Sequence, residues 1–222
     1  MRRAGSPPSG GGLWRNFDAT QLATPEAFAR DPKLVWEFYS HRREVLSPLQ
    51  PNPGHYAAAI EERAPGFTLV TQNIDNLHRD AGSGNVIELH GNIWRVRCVN
   101  LGCENSRSPR ENRQVPVDPI PPVCEKCGEL FRPHVVWFGE MLDPEVLRSA
   151  MASVEGCDFI IVAGTSAVVQ PAAGMPLLAW RAGAFVLEFN LERTEISGYL
   201  NESVQAPSGE ALPRIAEAAF GG

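Results

Sequence analysis

Residues 159–190 read FIIVAGTSAVVQPAAGMPLLAWRAGAFVLEFN, and this stretch decides the fold. Two apolar runs, Phe159–Ala163 and residues 184–189, lack the polar alternation of a half-exposed strand, which favours strands that are buried on both faces of a parallel sheet. Residues 172–182 between them have a helical pattern. A strand, a helix and a strand in this order predict an open α/β sheet.

The same alternation of apolar runs and helical patterns continues on both sides of this stretch. Helical patterns flank it at residues 144–154 and 210–219. Three shorter runs of apolar and β-branched residues predict further strands of the sheet, at residues 67–71, 86–89 and 94–98.

A helical stretch precedes the first predicted strand. Thr24 is a suitable N-cap with Pro25 as the first helical residue, a second helix is predicted over Pro32–Leu46, and a third near residues 55–63. We therefore expect a helical insertion over about residues 24–64. Residues 1–12 are rich in Gly, Pro and Ser, and we expect them to be a flexible tail.

Composition and charge exclude several classes of protein. The chain has 222 residues, of which 43% are hydrophobic and 21% charged, so it is neither disordered nor fibrous. A net charge of −6 and only two lysines, Lys33 and Lys126, argue against nucleic acid or an anionic membrane as the main partner. No apolar run is long enough to cross a bilayer, and residues 1–12 lack the apolar core of a secretory signal. We expect a cytoplasmic protein that is a monomer.

Four of the five cysteines lie in two close pairs. Four residues separate Cys98 from Cys103, two separate Cys124 from Cys127, and twenty lie between the pairs. Two such loops can place four thiolates around one ion, and a site with no open position for water is typical of structural zinc. Residues 98–133 are therefore predicted to be a small inserted zinc-binding module; the alternative is four unrelated buried thiols.

Polar and small residues cluster where three of the predicted strands end, at residues 71–78, 164–166 and 188–192. Ligands of doubly wound sheets bind at the carboxyl ends of the strands, and amides, hydroxyls and a glycine there suit ribose and phosphate groups. Each cluster taken singly could be an ordinary polar turn. His90 also follows a predicted strand, and it is either a structural histidine or a general base for neutral pH.

Five sequence elements together resemble one known family. They are Thr71-Gln72-Asn73-Ile74-Asp75, Glu88-Leu89-His90-Gly91, the two cysteine pairs, Pro133-His134-Val135-Val136-Trp137-Phe138-Gly139-Glu140, and Gly164-Thr165-Ser166. In type, order and spacing they are similar to those of the sirtuins, NAD-dependent protein-lysine deacylases, over roughly residues 13–220. The resemblance implies a Rossmann-like NAD-binding domain, formed by residues 13–97 and 134–222, into which the small zinc-ribbon module of residues 98–133 is inserted.

The resemblance also implies roles for individual residues. His90 would be the catalytic base that takes a proton from a ribose hydroxyl, and the products would be nicotinamide, O-acyl-ADP-ribose and free lysine. Cofactor contacts would come from Gln72, Asn73, Ile74, Asp75, Gly164, Thr165, Ser166, Asn190, Leu191, Glu192 and Ser208. An edge that pairs with the extended backbone of an acyl-lysine protein or peptide would be formed by Val136, Trp137, Phe138, Gly139 and Glu140. One structural zinc per chain would be held by Cys98, Cys103, Cys124 and Cys127.

A pair of residues in the second predicted helix narrows the substrate class. Tyr39 and Arg42 share a helix face because they are three positions apart, and a hydroxyl and a guanidinium that face a pocket can bind a carboxylate. The pair resembles the Tyr-x-x-Arg of class III sirtuins, which implies removal of succinyl, malonyl or glutaryl groups and, more weakly, of acetyl groups. Ala23 would leave room for the longer acyl chain. Judged by its helix alone, Arg42 could be a surface arginine, since Arg43 follows it.

One part of the family pattern is not found in the sequence. Sirtuins open with a strand and a Gly-Ala-Gly-x-Ser loop for the pyrophosphate, of which Ala4-Gly5-Ser6 is only a faint echo. A misplaced start, a splice form and a degenerate protein would all give this sequence. We expect the chain as it stands to bind NAD weakly and to turn over slowly or not at all. The alternative functions are an inactive binder of acylated peptides and an ADP-ribosyltransferase.

Overall fold

The computed structural model describes residues 19–60 and 63–221, which form two compact units. Unit 1 contains residues 19–49, Asn73–Asn76 and His90–Leu142, and unit 2 contains the other described residues. The expected flexible tail and the echo at residues 4–6 lie outside the described residues. Within the described ranges, no helix combines the length and the apolar character needed to cross a membrane.

Three helices lie in the first part of unit 1: α1 (Ala19–Leu22), α2 (Pro25–Arg30) and α3 (Pro32–Leu46). Thr24 Oγ1 accepts a hydrogen bond from the backbone N–H of Ala27, and Asp31 Oδ1 accepts one from that of Leu34. Each of the two longer helices thus begins with a side-chain N-cap followed by a proline. The predicted bounds of α3 are confirmed.

A three-stranded antiparallel sheet carries the cysteine loops of unit 1. β3 (Gly91–Cys98) lies between β4 (Arg110–Glu111) and β5 (Phe131–Val135), and α6 (Glu104–Arg107) follows Cys103. The prediction that residues 94–98 belong to the parallel sheet is wrong. Antiparallel pairing with β5 places Cys98 opposite Phe131, and this brings it to the second cysteine pair.

The core of unit 1 is formed between the helices and this sheet. Val35, Trp36 and Ile93 have no exposed surface. The same cluster of buried side chains contains Phe28, Tyr39, Trp94, Val96, Phe131 and Trp137. Burial on this scale stabilises the unit because each large apolar side chain contributes about 1.5–3 kcal/mol when it leaves water.

Unit 2 contains the parallel strands. β1 (Leu69–Thr71) pairs with β2 (Val86–Glu88), and β7 (Phe185–Asn190) lies between β6 (Phe159–Ala163) and β8 (Glu202–Gln205), every pair being parallel. The helices of unit 2 are α4 (Pro53–Ala57), α5 (Leu77–Asp80), α7 (Pro144–Glu155), α8 (Met175–Ala182), which follows a 3-10 turn at Ala172–Gly174, and α9 (Ser208–Phe220). Parallel strands alternating with helices confirm the predicted α/β class.

β6 is less buried than its sequence predicts. Phe159 is 49% exposed, and Val162 is the buried residue of this strand. Within the described residues β6 pairs only with β7, so it is an edge strand, whereas the central strand β7 buries Val186, Glu188 and Phe189. Burial on both faces was thus correctly predicted for the central strand and wrongly for the edge.

Two shorter elements of unit 2 also differ from the prediction. The helix expected near residues 55–63 is α4, which ends at Ala57. It begins at Pro53 because Asn52 Oδ1 accepts the N–H groups of Gly54 and His55, while His55 Nδ1 accepts that of Asn52. β8 was not predicted, because its sequence ESVQ has no apolar run. The predicted domain boundaries stay predictions.

Candidate functional site

The four paired cysteines converge in unit 1. Their Sγ atoms all lie within 4.8 Å of one another, with Cys98 and Cys127 3.4 Å apart and Cys103 and Cys124 3.8 Å apart. Thiolates placed tetrahedrally at about 2.3 Å from zinc are about 3.8 Å from one another. The donor set and its spacing therefore fit one structural zinc ion, with no position left for a reacting water.

Asn105 contacts this cluster, although the cysteine spacing gives no sign of it. Its buried side-chain Nδ2 donates to Cys124 Sγ (3.3 Å) and to Glu125 Oε1 (3.3 Å). Burial alone would raise the pKa of the Cys124 thiol. The N–H donors of Asn105 and of the Lys126 and Cys127 backbone outweigh burial and lower that pKa, which favours the thiolate that a metal requires.

His90 is held at the start of β3 by backbone contacts within unit 1. Its carbonyl accepts a hydrogen bond from the N–H of Val136 (2.9 Å), and the following Gly91 has a φ of +76°. A Cβ atom at Gly91 would lie 2.2 Å from the carbonyl oxygen of His134, so only glycine permits this close approach of β3 to β5. The side chain of His90 is half-buried. Its role as the base stays a prediction.

The segment Asn73–Asn76 is fixed to β3 in the same unit. Trp94 Nε1 donates to the carbonyl of Asp75 (2.9 Å), and Asn92 Nδ2 donates to Asn76 Oδ1 (2.7 Å). Asn92 is 1% exposed, and its Oδ1 accepts the N–H of Trp94. Sequence reasoning missed Asn92, whose only signal is a polar residue directly after His90-Gly91. Three of the predicted cofactor residues are thus held in the same unit as His90: Asn73, Ile74 and Asp75.

Unit 2 brings other predicted cofactor residues together at the carboxyl ends of its strands. Gln72 Nε2 donates to Thr165 Oγ1 (3.3 Å), and Asn190 Nδ2 donates to the carbonyl of Thr165 (2.5 Å). Gly164 turns the chain after β6 with a φ of +65°, and a Cβ atom there would lie 3.9 Å from Ser208 Oγ. The remaining predicted cofactor residues are exposed in the same unit: Ser166, Leu191 and Glu192. Amides, hydroxyls and a glycine at strand ends fit the ribose groups of NAD.

Glu188, the first residue of the predicted polar cluster 188–192, lies inside β7 and is a buried carboxylate. It is 1% exposed and accepts hydrogen bonds from the hydroxyls of Thr194, Ser197 and Ser203. Burial disfavours the charged form, but the three donors outweigh it and lower the pKa of Glu188. The network ties residues 191–201 and β8 to the central strand β7.

The predicted substrate edge, residues 136–140, is braced by Glu140. Arg132 donates two hydrogen bonds to this carboxylate (2.5 and 2.9 Å), and Glu140 Oε2 also accepts the N–H of Trp137 (2.9 Å). The guanidinium carbon of Arg132 lies 3.4 Å from the centroid of the Trp137 ring. Although burial opposes it, these donors lower the pKa of Glu140.

Part of the hydrogen-bonding capacity of this edge is used inside unit 1. The N–H groups of Val136 and Phe138 donate to the carbonyls of His90 and Ala23 (2.9 Å each). If this edge pairs with a substrate backbone, as the sequence predicts, other backbone groups of residues 136–140 would have to provide the hydrogen bonds. Phe138 and Gly139 are exposed, as such an edge requires.

Tyr39 and Arg42 lie on neighbouring positions of one face of α3. Tyr39 is 2% exposed and its hydroxyl accepts a hydrogen bond from Trp137 Nε1 (3.0 Å). Burial raises the pKa of Tyr39 to about 12, although the charge of Arg42 opposes this, so the hydroxyl stays protonated. Arg42 is half-buried, and its Nε has no hydrogen-bond partner within the described residues. Arg43, in contrast, is fully buried, so the two arginines do not share a solvated face.

A comparison with protein families places this geometry in context. The model of the Sir2 family matches residues 8–171, well over half of the chain. The chain belongs to the Sir2 family.

Curated Sir2 relatives are similar along most of the chain. A protein of Pyrobaculum aerophilum named NAD-dependent protein deacylase 2 is 48% identical over 209 residues, which are 93% of this chain and 81% of that protein. A protein of Canis lupus familiaris named NAD-dependent protein deacylase sirtuin-5, mitochondrial, is 43% identical over 226 residues. The alignment covers 91% of this chain and 73% of that protein.

Solved Sir2 structures have the same fold. The crystal structure of a Sir2 homologue in complex with NAD matches with a TM-score of 0.87 and 43% identity, over 96% of this chain and 82% of that one. A Sir2 protein bound to acetylated peptide matches with a TM-score of 0.77 and 31% identity, over 89% and 82% of the two chains. The predicted family, the Rossmann-like fold class and a cysteine cluster suited to zinc are thereby confirmed.

Proposed function

We propose that this Sir2 protein is an NAD-dependent protein deacylase that removes acidic acyl groups, namely succinyl, malonyl or glutaryl, from lysine, and acetyl groups more slowly. The coarser part, NAD-dependent deacylation, follows from membership of the family and from the relatives that carry this activity in their names. The finer part, the preference for acidic acyl groups, is supported by the similarity to the protein named sirtuin-5 and by the side chains of α3.

The observation that carries the acyl preference is the surroundings of Arg42. Its half-buried guanidinium has an Nε without a hydrogen-bond partner within the described residues, and its carbon lies 5.6 Å from the centroid of the Phe38 ring. Its charge acts on the Tyr39 hydroxyl, which stays protonated. A carboxylate at the end of an acyl chain would supply the missing acceptor through charge-assisted hydrogen bonds. An acetyl group has no such carboxylate, so it would gain nothing from Arg42.

The reaction itself would be carried by positioning and by one proton transfer. Bound NAD would supply an electrophilic ribosyl carbon with nicotinamide as its leaving group. Gln72, Thr165 and Asn190 would hold ribose hydroxyls, since their amide and hydroxyl groups already meet at the strand ends. His90 would accept the proton of a ribose hydroxyl at its imidazole, the step in which a general base is needed. The zinc site, with four thiolates and no open position, would take no part in the chemistry.

A substrate panel tests the proposal. Peptides that differ only in carrying succinyl-, malonyl-, glutaryl- or acetyl-lysine are incubated with NAD, and nicotinamide and free lysine peptide are quantified by mass spectrometry. We expect kcat/KM to be higher for the three acidic acyl groups than for acetyl. Equal or faster removal of acetyl would contradict the acyl preference, and NAD consumption without deacylated peptide would indicate ADP-ribosyl transfer instead.

A further inference from the structure

A second face of α3 packs against the zinc-binding module of residues 98–133 and against β3. Trp36, Ser40 and Arg43 follow one another at spacings of four and three residues, so they lie on one side of the helix. Tyr39 and Arg42, the pair on which the proposed acyl preference rests, lie on the neighbouring side. All five side chains belong to unit 1.

Three sets of hydrogen bonds hold the attached face. Trp36 Nε1 donates to the carbonyl of Phe131 in β5 (2.7 Å). The backbone N–H of Val117 donates to Ser40 Oγ (3.0 Å). Arg43 donates from Nε to the carbonyl of Ile93 (2.9 Å) and from Nη1 to Asn112 Oδ1 (2.7 Å). The loop between Asn112 and Val117, which we call the 112–117 loop, provides two of these contacts.

Arg43 makes this attachment sensitive to small displacements. It is fully buried, and burial lowers its pKa to about 10. Within the described residues it contacts two neutral acceptors and the faces of Trp36 and Trp94, whose ring centroids lie 5.6 and 5.8 Å from its guanidinium carbon, while its Nη2 has no acceptor. A buried charge requires acceptors in good geometry, so losing one of them forces the helix to adjust.

We propose that the 112–117 loop is a determinant of acyl specificity: by holding Ser40 and Arg43 it sets the position of α3, and thereby that of Arg42 in the acyl pocket. Asn112 and Ser40 are then positioning residues that act through Arg42 and touch no substrate. This inference rests on the proposed function, because it explains how the same acyl preference is maintained.

Single variants of the loop contacts give the first test. Asn112→Ala removes the acceptor that Arg43 shares with the backbone N–H of Gln114, and Ser40→Ala removes the acceptor of the Val117 N–H. We expect KM for a succinyl-lysine peptide to rise about three- to tenfold in each variant, with a smaller change for acetyl-lysine and little change in kcat. Asn112→Asp keeps an acceptor in place and should restore the wild-type ratio of the two substrates. Ser47→Ala is the matched control, because the hydroxyl of this exposed serine at the end of α3 donates to the carbonyl of Glu44 and not to the 112–117 loop.

A double-mutant cycle shows whether the effect passes through Arg42. In an Arg42→Met background, Asn112→Ala should no longer change the ratio of succinyl to acetyl turnover. The inference would be overturned if Asn112→Ala lowered turnover of both substrates equally, in line with a loss of thermal stability. It would also be overturned if Asn112→Ala still changed the ratio of succinyl to acetyl turnover in the Arg42→Met background.

Amide hydrogen exchange separates this inference from the proposed function. If wild-type protein removes succinyl no faster than acetyl, the proposed acyl preference fails. The positioning of α3 is still judged by exchange, which should be faster over residues 39–46 in Asn112→Ala than in wild type or Ser47→Ala. If amide exchange over α3 were the same in Asn112→Ala as in wild type, the loop would not position α3, and this conclusion would hold for any substrate preference.

Discussion

Arg42 and Arg43 follow each other in α3, yet their surroundings differ. Arg43 is fully buried, and its Nε and Nη1 have acceptors, although its Nη2 has none within the described residues. Arg42 is half-buried, and its Nε has no acceptor in the same part of the chain. Arg42→Met keeps much of the side-chain volume and removes the charge. We expect desuccinylation to fall about a hundredfold and deacetylation to change much less, because only the acidic acyl group loses a charge-assisted partner. Steady-state kinetics with both peptides measures the two losses. Arg30→Met, at the exposed end of α2, is the control. Equal losses on both peptides would show that Arg42 is structural.

His90 can be removed without disturbing the contact that its backbone makes. The hydrogen bond from Val136 goes to the His90 carbonyl, which His90→Ala retains. We therefore expect a folded protein with an unchanged far-UV spectrum and no deacylated product, since the proton acceptor is lost. His78→Ala serves as the comparison. Product formation by His90→Ala would move the base elsewhere, with His78 the next candidate.

At the scale of elements, Gly91 fixes how closely β3 approaches β5. Gly91→Ala combines a positive φ with a Cβ atom 2.2 Å from the His134 carbonyl, so the strands must separate. We expect a loss of unfolding free energy above the roughly 1–3 kcal/mol that a left-handed non-glycine residue costs by itself. Gly66→Ala provides that reference, because Gly66 has a φ of +86° and nothing within 4 Å of the added atom. Urea unfolding of both variants measures the difference; equal losses would mean that the strands accommodate the methyl group.

The hydrogen bonds of Glu188 connect β7 to β8 and to residues 191–201, and we expect their contribution to stability to depend on pH. Its folded-state pKa is lowered, so the unfolded chain binds more protons and the stabilisation is present above the unfolded pKa and lost as pH falls. Glu188→Gln should be less stable than wild type at pH 7 by about 1–3 kcal/mol, and the difference should shrink towards pH 3. Thermal unfolding across this range is the measurement, with the exposed Glu195→Gln as control. A difference that does not vary with pH would rule out the charged carboxylate as its source.

The elements that sequence could predict are those with local signals. α3 was located from Pro32, which ends one helical pattern and begins the next, and the cysteine cluster was located from its spacing. The antiparallel pairing of β3 could not be found in this way, because a strand of eight residues does not encode its partner. The same holds for the contacts of Asn92, Asn105 and Glu188, whose partners lie 2 to 20 residues away and follow no repeating interval.

For the whole molecule, the cysteine cluster should determine whether unit 1 folds. We expect one zinc ion per chain in freshly purified protein, and Cys124→Ser should lose it and change the fluorescence of Trp36 and Trp94, which are buried in the same core. Cys157→Ser, a change in unit 2 outside the cluster, should retain the metal. Elemental analysis with tryptophan fluorescence tests both variants. Folded wild-type protein without zinc would contradict the assignment.

The contacts of α3 with the 112–117 loop matter to anyone who wishes to transplant the Tyr39–Arg42 pair into another scaffold. If only the two side chains were copied onto a foreign helix, that helix would lack the contacts with Asn112 and Val117. Its position would then no longer be fixed as that of α3 is here. The smallest portable part is therefore α3 together with a stretch of chain some seventy positions further on. A recipient protein would therefore need room for both segments.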